Sequence, residues 1–215
     1  MIANGSDVHQ GGDGPLMRAA LADTRIPMME FLVAHGANVN AHWNGSYPII
    51  CAPCETQAAR ALKWLLEHAA DPRVSAREYG SPLKMLTVFG GTLLHLAVEY
   101  DDIDVARWLI ERGADASAKA GLDADGFGGH TPLFHAVVTL AAPDDTKARL
   151  LLERGADPNA RATIRKQLRD LGDPEKEMMR EFHNVTPIRY ARQFQEPGWV
   201  NGPAITAIVQ RGGTE

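Results

Sequence analysis

Two cysteines are the most reactive side chains in this sequence, and they lie close together at Cys51 and Cys54. A Cys-x-x-Cys spacing forms a redox pair when one thiolate lies at a helix N-terminus in a thioredoxin-like context. The same spacing contributes to structural zinc sites, which need four ligands. The sequence has no second cysteine pair, and Cys51 holds a position that is apolar in the equivalent segments. We therefore expect Cys51 to pack in the core, and we predict no metal site.

Other motifs that carry chemistry are incomplete or missing. Asp123-Ala124-Asp125-Gly126 matches the start of a calcium-binding loop, but the later ligands and the closing glutamate are absent. The sequence has no glycine-rich phosphate loop followed by lysine, and it has no Gly-x-Ser-x-Gly nucleophile motif. The motifs therefore predict no cofactor and no catalytic set.

Charge and hydropathy argue against several classes of partner. The 215 residues carry a formal net charge of −5, whereas a phosphate backbone selects clustered Lys and Arg. No apolar run reaches the roughly 18 residues that cross a membrane. The first residues lack the basic start and apolar core of a secretory signal, and two cysteines make no disulfide framework. These features predict a cytoplasmic protein that binds neither nucleic acid nor membranes.

The elements that must position these side chains recur along the chain. Each unit opens on a start like Thr-Pro-Leu and closes, about 21 residues later, on a stop like Gly-Ala-Asp. Threonine caps a helix N-terminus, proline fits the first turn, and the glycine closes a helix C-terminus. The starts are Gly14-Pro15-Leu16, Tyr47-Pro48-Ile49, Thr92-Leu93-Leu94, Thr131-Pro132-Leu133 and Thr186-Pro187-Ile188. The stops are centred on Gly36, Ala69, Gly113, Gly155 and Gly212.

A helix-turn-helix unit with these signals, whose first two starts lie 33 residues apart (48 − 15), resembles the ankyrin repeat. The resemblance covers nearly the whole chain in five copies. It implies an all-α solenoid of stacked helix-turn-helix units with β-hairpin or loop fingers, in which each unit buries its apolar face against its neighbours. Pro53 predicts a short or distorted first helix in the second unit. The predicted repeats of this single domain, 13–215, are 13–41, 44–74, 90–118, 129–161 and 184–213, after a flexible N-terminus at 1–12.

Three insertions exceed a normal connection, at 75–89, 119–128 and 162–183. All three lie between a stop and the next start, where the ankyrin family has its fingers, and insertions on one face of a repeat array often mark its binding face. The last insertion carries apolar residues at helical spacing, which predicts a helix-turn-helix flap over 161–184. The two apolar stripes are Ile164, Leu168 and Leu171, then Met178, Met179 and Phe182.

The ankyrin resemblance also implies which positions are exposed in the concave groove. They flank the Thr-Pro start, follow the first helix, or lie in a finger. In this sequence they predict binding residues at Trp43, Ser46, Glu55, Glu99, Tyr100, His130, Thr139, Gln193 and Phe194. Aromatic side chains in a concavity suit a protein partner. The resemblance therefore implies a protein-binding module that acts through its concave face and fingers, with inhibition or neutralisation of the partner as a specialisation.

A second class of function stays open alongside protein binding. The groove, the finger 119–129 and the flap 161–184 could enclose a small-molecule pocket of a few hundred cubic ångströms. If that pocket is catalytic, the acting groups would be Glu55, Tyr100 and His130, because adjacent helices pack roughly 8–10 Å apart. Whether the insertions enclose such a pocket distinguishes the two hypotheses.

Overall fold

The computed structural model describes residues 7–45, 47–56, 58–71, 91–99, 103–139, 143–169, 177–194 and 197–215. Within them, helices contact one another in consecutive pairs, and the first helices of the pairs pack in chain order α1–α3–α5–α7–α9. The pairs are α1 (Gln10–Ala20) with α2 (Ile26–Ala34), α3 (Ala52–Glu55) with α4 (Ala59–Glu67), α5 (Leu93–Glu99) with α6 (Ile103–Glu111), α7 (Pro132–Val137) with α8 (Thr146–Glu153), and α9 (Pro187–Gln193) with α10 (Gly202–Gln210). This stack confirms a helical repeat solenoid.

The stops end the second helices through one shared backbone geometry. The residue after each stop donates its N–H to a carbonyl five residues earlier, as Ala114 does to Leu109 O and Ala156 to Leu151 O, both at 3.0 Å. That turn needs a left-handed residue at the stop itself, and Gly113 accordingly has a φ of +95°. Ala69 adopts the same conformation with a φ of +66°, although it carries a Cβ.

In three units, a polar side chain four residues after the stop forms a hydrogen bond to the stop of the following unit. The side chain donates a hydrogen bond across the stack. The backbone N–H of the same residue donates to the side chain of an Asn or Asp two residues earlier. The three links are Asn40 Nδ2 to Ala69 O at 3.0 Å, Ser117 Oγ to Gly155 O at 3.1 Å and Asn159 Nδ2 to Gly212 O at 3.0 Å. The units are therefore joined by repeating hydrogen bonds as well as by apolar packing.

Two first helices depart from the regular pattern. The second unit begins with a tight 3₁₀ turn at Ile49–Cys51 before the four-residue helix α3, which confirms the short, distorted helix predicted from Pro53. Helix α7 ends at Val137 because the next residue, Val138, forms an isolated β-bridge with Val200. In α1, residues 11–13 have positive φ, so regular helix begins at Gly14.

The last insertion is a β-hairpin, so the predicted helix-turn-helix flap is wrong and the all-α description holds only for the helix pairs. Strand β3 (Ala162–Arg169) pairs antiparallel with β4 (Glu177–Val185), with Ile164 opposite Phe182. An apolar spacing of four residues is even, so it places two residues on one face of a strand as readily as on a helix. A shorter pair, β1 (His42–Trp43) and β2 (Tyr47–Pro48), forms the first finger.

The finger at 119–129 extends the large hairpin. Gly128 is the finger residue that lies beside β3, and it donates its N–H to Thr163 O at 2.7 Å. Its φ is +133°, and a Cβ there would lie 2.0 Å from Gly121 O, so only glycine fits. The insertion 75–89 and residues 1–6 lie outside the described residues, whereas Val8 is buried in the core. No described helix is both long enough and apolar enough to span a membrane.

Candidate functional site

The hairpin covers the groove of the last two units. Its groove-facing side chains Ile164 and Phe182 are buried, Phe182 being only 2% exposed. The Phe182 ring lies 4.8 Å from the Tyr190 ring and stacks at 6.2 Å on the Phe194 ring. Tyr190 lies in α9, and Phe194 directly follows that helix. The part of the concave face where the sequence predicts exposed binding residues is therefore filled by the chain itself.

Three buried histidines form a cluster beneath this hairpin. His95 comes from α5, His135 from α7, and His130 from the end of the finger that precedes α7. Their ring centroids lie between 5.2 and 5.8 Å apart. The stack brings these residues together because α5 and α7 are neighbouring first helices.

His95 has a structural role within this histidine cluster. Its Nδ1 accepts hydrogen bonds from the Thr92 N–H at 3.0 Å and from the Thr92 hydroxyl at 2.9 Å, so its Nε2 is the atom that donates to His130 O, at 3.1 Å. Burial, reinforced by the nearby His135, lowers the pKa of His95 to about 3. The imidazole is therefore neutral near pH 7 and fixes the finger against α5.

Glu99 is the carboxylate that balances the cluster. It is hydrogen-bonded to His135 Nδ1, and its other oxygen lies 3.8 Å from Lys166 Nζ on β3. Burial alone would raise the pKa of Glu99, but the Lys166 and His135 charges outweigh it and hold that pKa well below its usual range. An ion pair between α5 and β3 thus attaches the hairpin to the middle of the stack.

Within the described part of the chain, His130 and His135 each have one ring nitrogen without a hydrogen-bond partner. His130 Nδ1 and His135 Nε2 are both buried, and both residues line a cavity of about 20 Å³ with Lys166 and Tyr190. Burial, together with His135 and His95, lowers the pKa of His130 well below its usual value. Buried polar atoms are almost always paired in native proteins, so these two nitrogens mark the cavity as a polar site beneath the hairpin.

The predicted binding residues fall in different environments. Glu99 and His130 belong to the histidine cluster, and Phe194 and Thr139 are buried rather than exposed, Phe194 because the hairpin covers it. Gln193 is exposed at the end of α9, and Trp43 is half-buried in the first finger. Ser46, Tyr100 and the side chain of Glu55 lie outside the described part of the chain, so the proposed catalytic trio is represented only by His130.

Sequence reasoning missed Lys166 and His135 as members of the site. Lys166 lies midway between Ile164 and Leu168, two residues from each. In a strand, this spacing places Lys166 on the same face as those apolar residues, and this was the signal that could have identified it. Lys147 is a second buried cation nearby, and its Nζ donates to Val98 O at 3.0 Å. Across the described residues, no three His, Cys, Asp or Glu side chains are placed to hold a metal ion, and Cys51 is buried in the core.

A second, open concavity lies on the first unit. It has a volume of about 610 Å³ and is bounded by the Trp43 finger and by α1 and the start of α2. Trp43, Pro15 and Met28 supply its apolar wall, and Met28 is 41% exposed. Arg18 and Arg25 supply its charge, and none of the described lining residues is acidic.

Comparison with known proteins agrees with this architecture. The model of the family described as ankyrin repeats matches residues 77–162, in three copies. Residues 77–162 are therefore similar to ankyrin repeats. Among curated proteins, the chain is similar to alpha-latrocrustotoxin-Lt1a of Latrodectus tredecimguttatus, with 27% identity over 101 residues. That alignment spans 47% of this chain and 6% of the toxin, so the chain corresponds to a small part of that relative.

Proposed function

We propose that this protein is a protein-binding module whose open binding surface is the first-unit concavity around Trp43. The contrast between the last two units and the first unit supports the proposal. Hairpin side chains fill the groove over the last two units, whereas the first unit presents a concavity of about 610 Å³. Ankyrin repeats generally act by binding other proteins, and this concavity is an accessible surface of suitable size.

The side chains of the concavity indicate the chemistry of the partner. Tryptophan, methionine and arginine are enriched at the energetic centres of protein interfaces. Arg18 and Arg25 stand in a chain whose net charge is −5, and they favour a partner segment with carboxylates beside an apolar side chain. A partner held in this way would be inhibited if that segment were part of its own working surface.

Affinity capture with the full chain tests this proposal. Trp43→Ala and Arg18→Glu should each abolish recovery of a stoichiometric partner from extracts of the source cells. Trp108→Ala is the matched control, because Trp108 packs on Arg112 along α6 and does not line the concavity. Equal recovery by wild type and both concavity variants would contradict the proposal.

The alternative function, a small-molecule or catalytic pocket beneath the insertion, gains no support from this geometry. The space between the hairpin and the groove is about 20 Å³, close to the size of one water molecule. A ligand pocket usually needs about 300 Å³ or more. Gln193 and the exposed edge of Glu99 stay predicted partner contacts of the protein-binding hypothesis.

A further inference from the structure

We propose that the β3–β4 hairpin is a pH-sensitive cover, and that protonation of His130 beneath it releases the hairpin and exposes the aromatic groove of the last two units. The exposed groove would enlarge the partner-binding surface, and in that consequence the inference rests on the proposed function. The opening itself is a property of this chain alone.

Apolar burial, an ion pair and links to the finger hold the described part of the hairpin to the stack. Phe182 and Ile164 bury apolar surface against Tyr190 and Phe194. Lys166 reaches Glu99 at 3.8 Å. The links to the finger include the hydrogen bond to Thr163 O and an Arg165–Asp125 contact of 3.1 Å whose acid is largely exposed. Exposed ion pairs contribute little, so apolar burial and the buried ion pair carry the attachment.

The charges around the cluster make a further positive charge unfavourable. The carboxylate Glu99 on α5 faces His135 on α7 and Lys166 on β3, with His95 on α5 and His130 on the finger beside them. Tyr190 on α9 closes the cavity, and Lys147 on α8 lies against the end of α5 at Val98 O. One carboxylate therefore serves a cluster that already contains the Lys166 ammonium.

Protonation would place a new donor and a new charge in this cavity. A proton on His130 Nδ1 points an N–H into a cavity in which this atom has no hydrogen-bond partner among the described residues. A buried charge without a partner is strongly unfavourable, and Lys166 adds like-charge repulsion. Swinging the hairpin outward removes Lys166 and admits water, so acid favours the open form.

The links between units do not use His130 or Lys166. Neighbouring units are joined by apolar helix packing and by the Asn40, Ser117 and Asn159 links, none of which carries a titrating group. We therefore expect the opening to be local.

Hydrogen exchange of the full chain at pH 7.5 and pH 5.5 tests this inference, after correction for intrinsic exchange rates. The β3–β4 amides should lose up to about tenfold more protection than the α8 amides, because one histidine that must take up a proton contributes up to about tenfold per pH unit below 6.5. Equal loss in both elements, or no loss in the hairpin, would overturn the proposal. This wild-type comparison needs no variant to fold.

Variants then assign the effect to the cluster. His130→Asn should remove the extra loss of protection at pH 5.5. His183→Gln is the control, because His183 lies on the same hairpin with a side chain that is 65% exposed, and it should behave as wild type. A His130→Asn protein that folds and keeps the wild-type pH response would also overturn the proposal. None of these measurements uses a partner, so a failed Trp43 experiment leaves their outcome unaffected.

Discussion

His95, Glu99 and Ala69 show how single residues in this chain balance local cost against repeat geometry. His95 and Glu99 are charged or chargeable groups inside a helix stack, and each is tolerated because its hydrogen bonds and neighbours are complete. Ala69 carries backbone strain instead, because the stop of the second unit must be left-handed and glycine is missing there. Both situations lead to measurable predictions.

Replacing Ala69 with glycine should stabilise the protein. An L-residue in the left-handed region costs about 1 kcal/mol relative to glycine, and the flanking cap hydrogen bonds of Ala70 to Leu65 O would be kept. We expect the free energy of unfolding in urea to rise by about 1 kcal/mol or slightly less. Ala70→Gly, which removes a buried methyl next to the stop, should lower it, and a destabilised Ala69→Gly would refute the strain argument.

His95 should make stability fall as the solution is acidified from pH 6.5. The unfolded chain takes up the proton near pH 6.5, whereas the folded chain resists it until about pH 3. The unfolded state therefore binds more protons between these values, and the stabilising contribution, complete above pH 6.5, is lost as pH falls. The slope is up to about 1.4 kcal/mol per pH unit. Urea unfolding should show a shallower slope for His95→Gln and the wild-type slope for the exposed control His42→Gln.

At the scale of elements, the β3–β4 hairpin depends on the groove for its fold. An isolated two-stranded hairpin is marginal in water, so its stability must come from the surface that it covers. Phe182 supplies much of that burial, while on the opposite side Arg165 pairs across the strands with Glu181 at 3.5 Å. The hairpin is thus amphipathic, with its apolar face set by the tertiary contact.

Truncating Phe182 should loosen the hairpin without disturbing the helices. We expect Phe182→Ala to cost about 3 kcal/mol, because it removes a buried aromatic ring from contact with Tyr190 and Phe194. Hydrogen exchange should locate the loss in β3 and β4. Met179→Ala on the same strand is the control, since Met179 is 54% exposed, and it should change stability by less than about 0.5 kcal/mol.

On the scale of the whole molecule, the solenoid is a chain of nearest-neighbour contacts. Such arrays tolerate changes between units when the helix interfaces are kept, because stability is close to a sum of unit and interface contributions. Helices α7 and α9 pack directly on each other, as do α8 and α10, so the last two units are joined without the hairpin.

Replacing residues 162–184 by a finger as short as 42–48 should therefore leave the helices folded. The far-ultraviolet circular dichroism should retain the helical signal, while the uncovered Phe134, Tyr190 and Phe194 bind a hydrophobic dye or drive self-association. Phe194→Ser in the shortened protein should reduce dye binding. Loss of the helical signal would mean that the hairpin is required for the stack itself.

The repeat architecture follows from the sequence because its determinants are local. Thr and Pro at a helix start, glycine at a stop and apolar residues at helical spacing act within one unit, and their recurrence fixes the period. The short first helix of the second unit is foreseeable in the same way from Pro53. Even the polar links at Asn40, Ser117 and Asn159 lie at one repeated position after the stop.

The hairpin, the covered groove and the histidine cluster were decided only by the tertiary structure. Ile164 and Leu168 fit a helix and a strand equally well, and the choice depends on the apolar surface that Tyr190 and Phe194 present. His95, His130 and Lys166 are separated by tens of residues, so their encounter requires the stack to form first. Burial, rather than residue type, then turns predicted partner contacts such as His130 and Phe194 into the interior of the molecule.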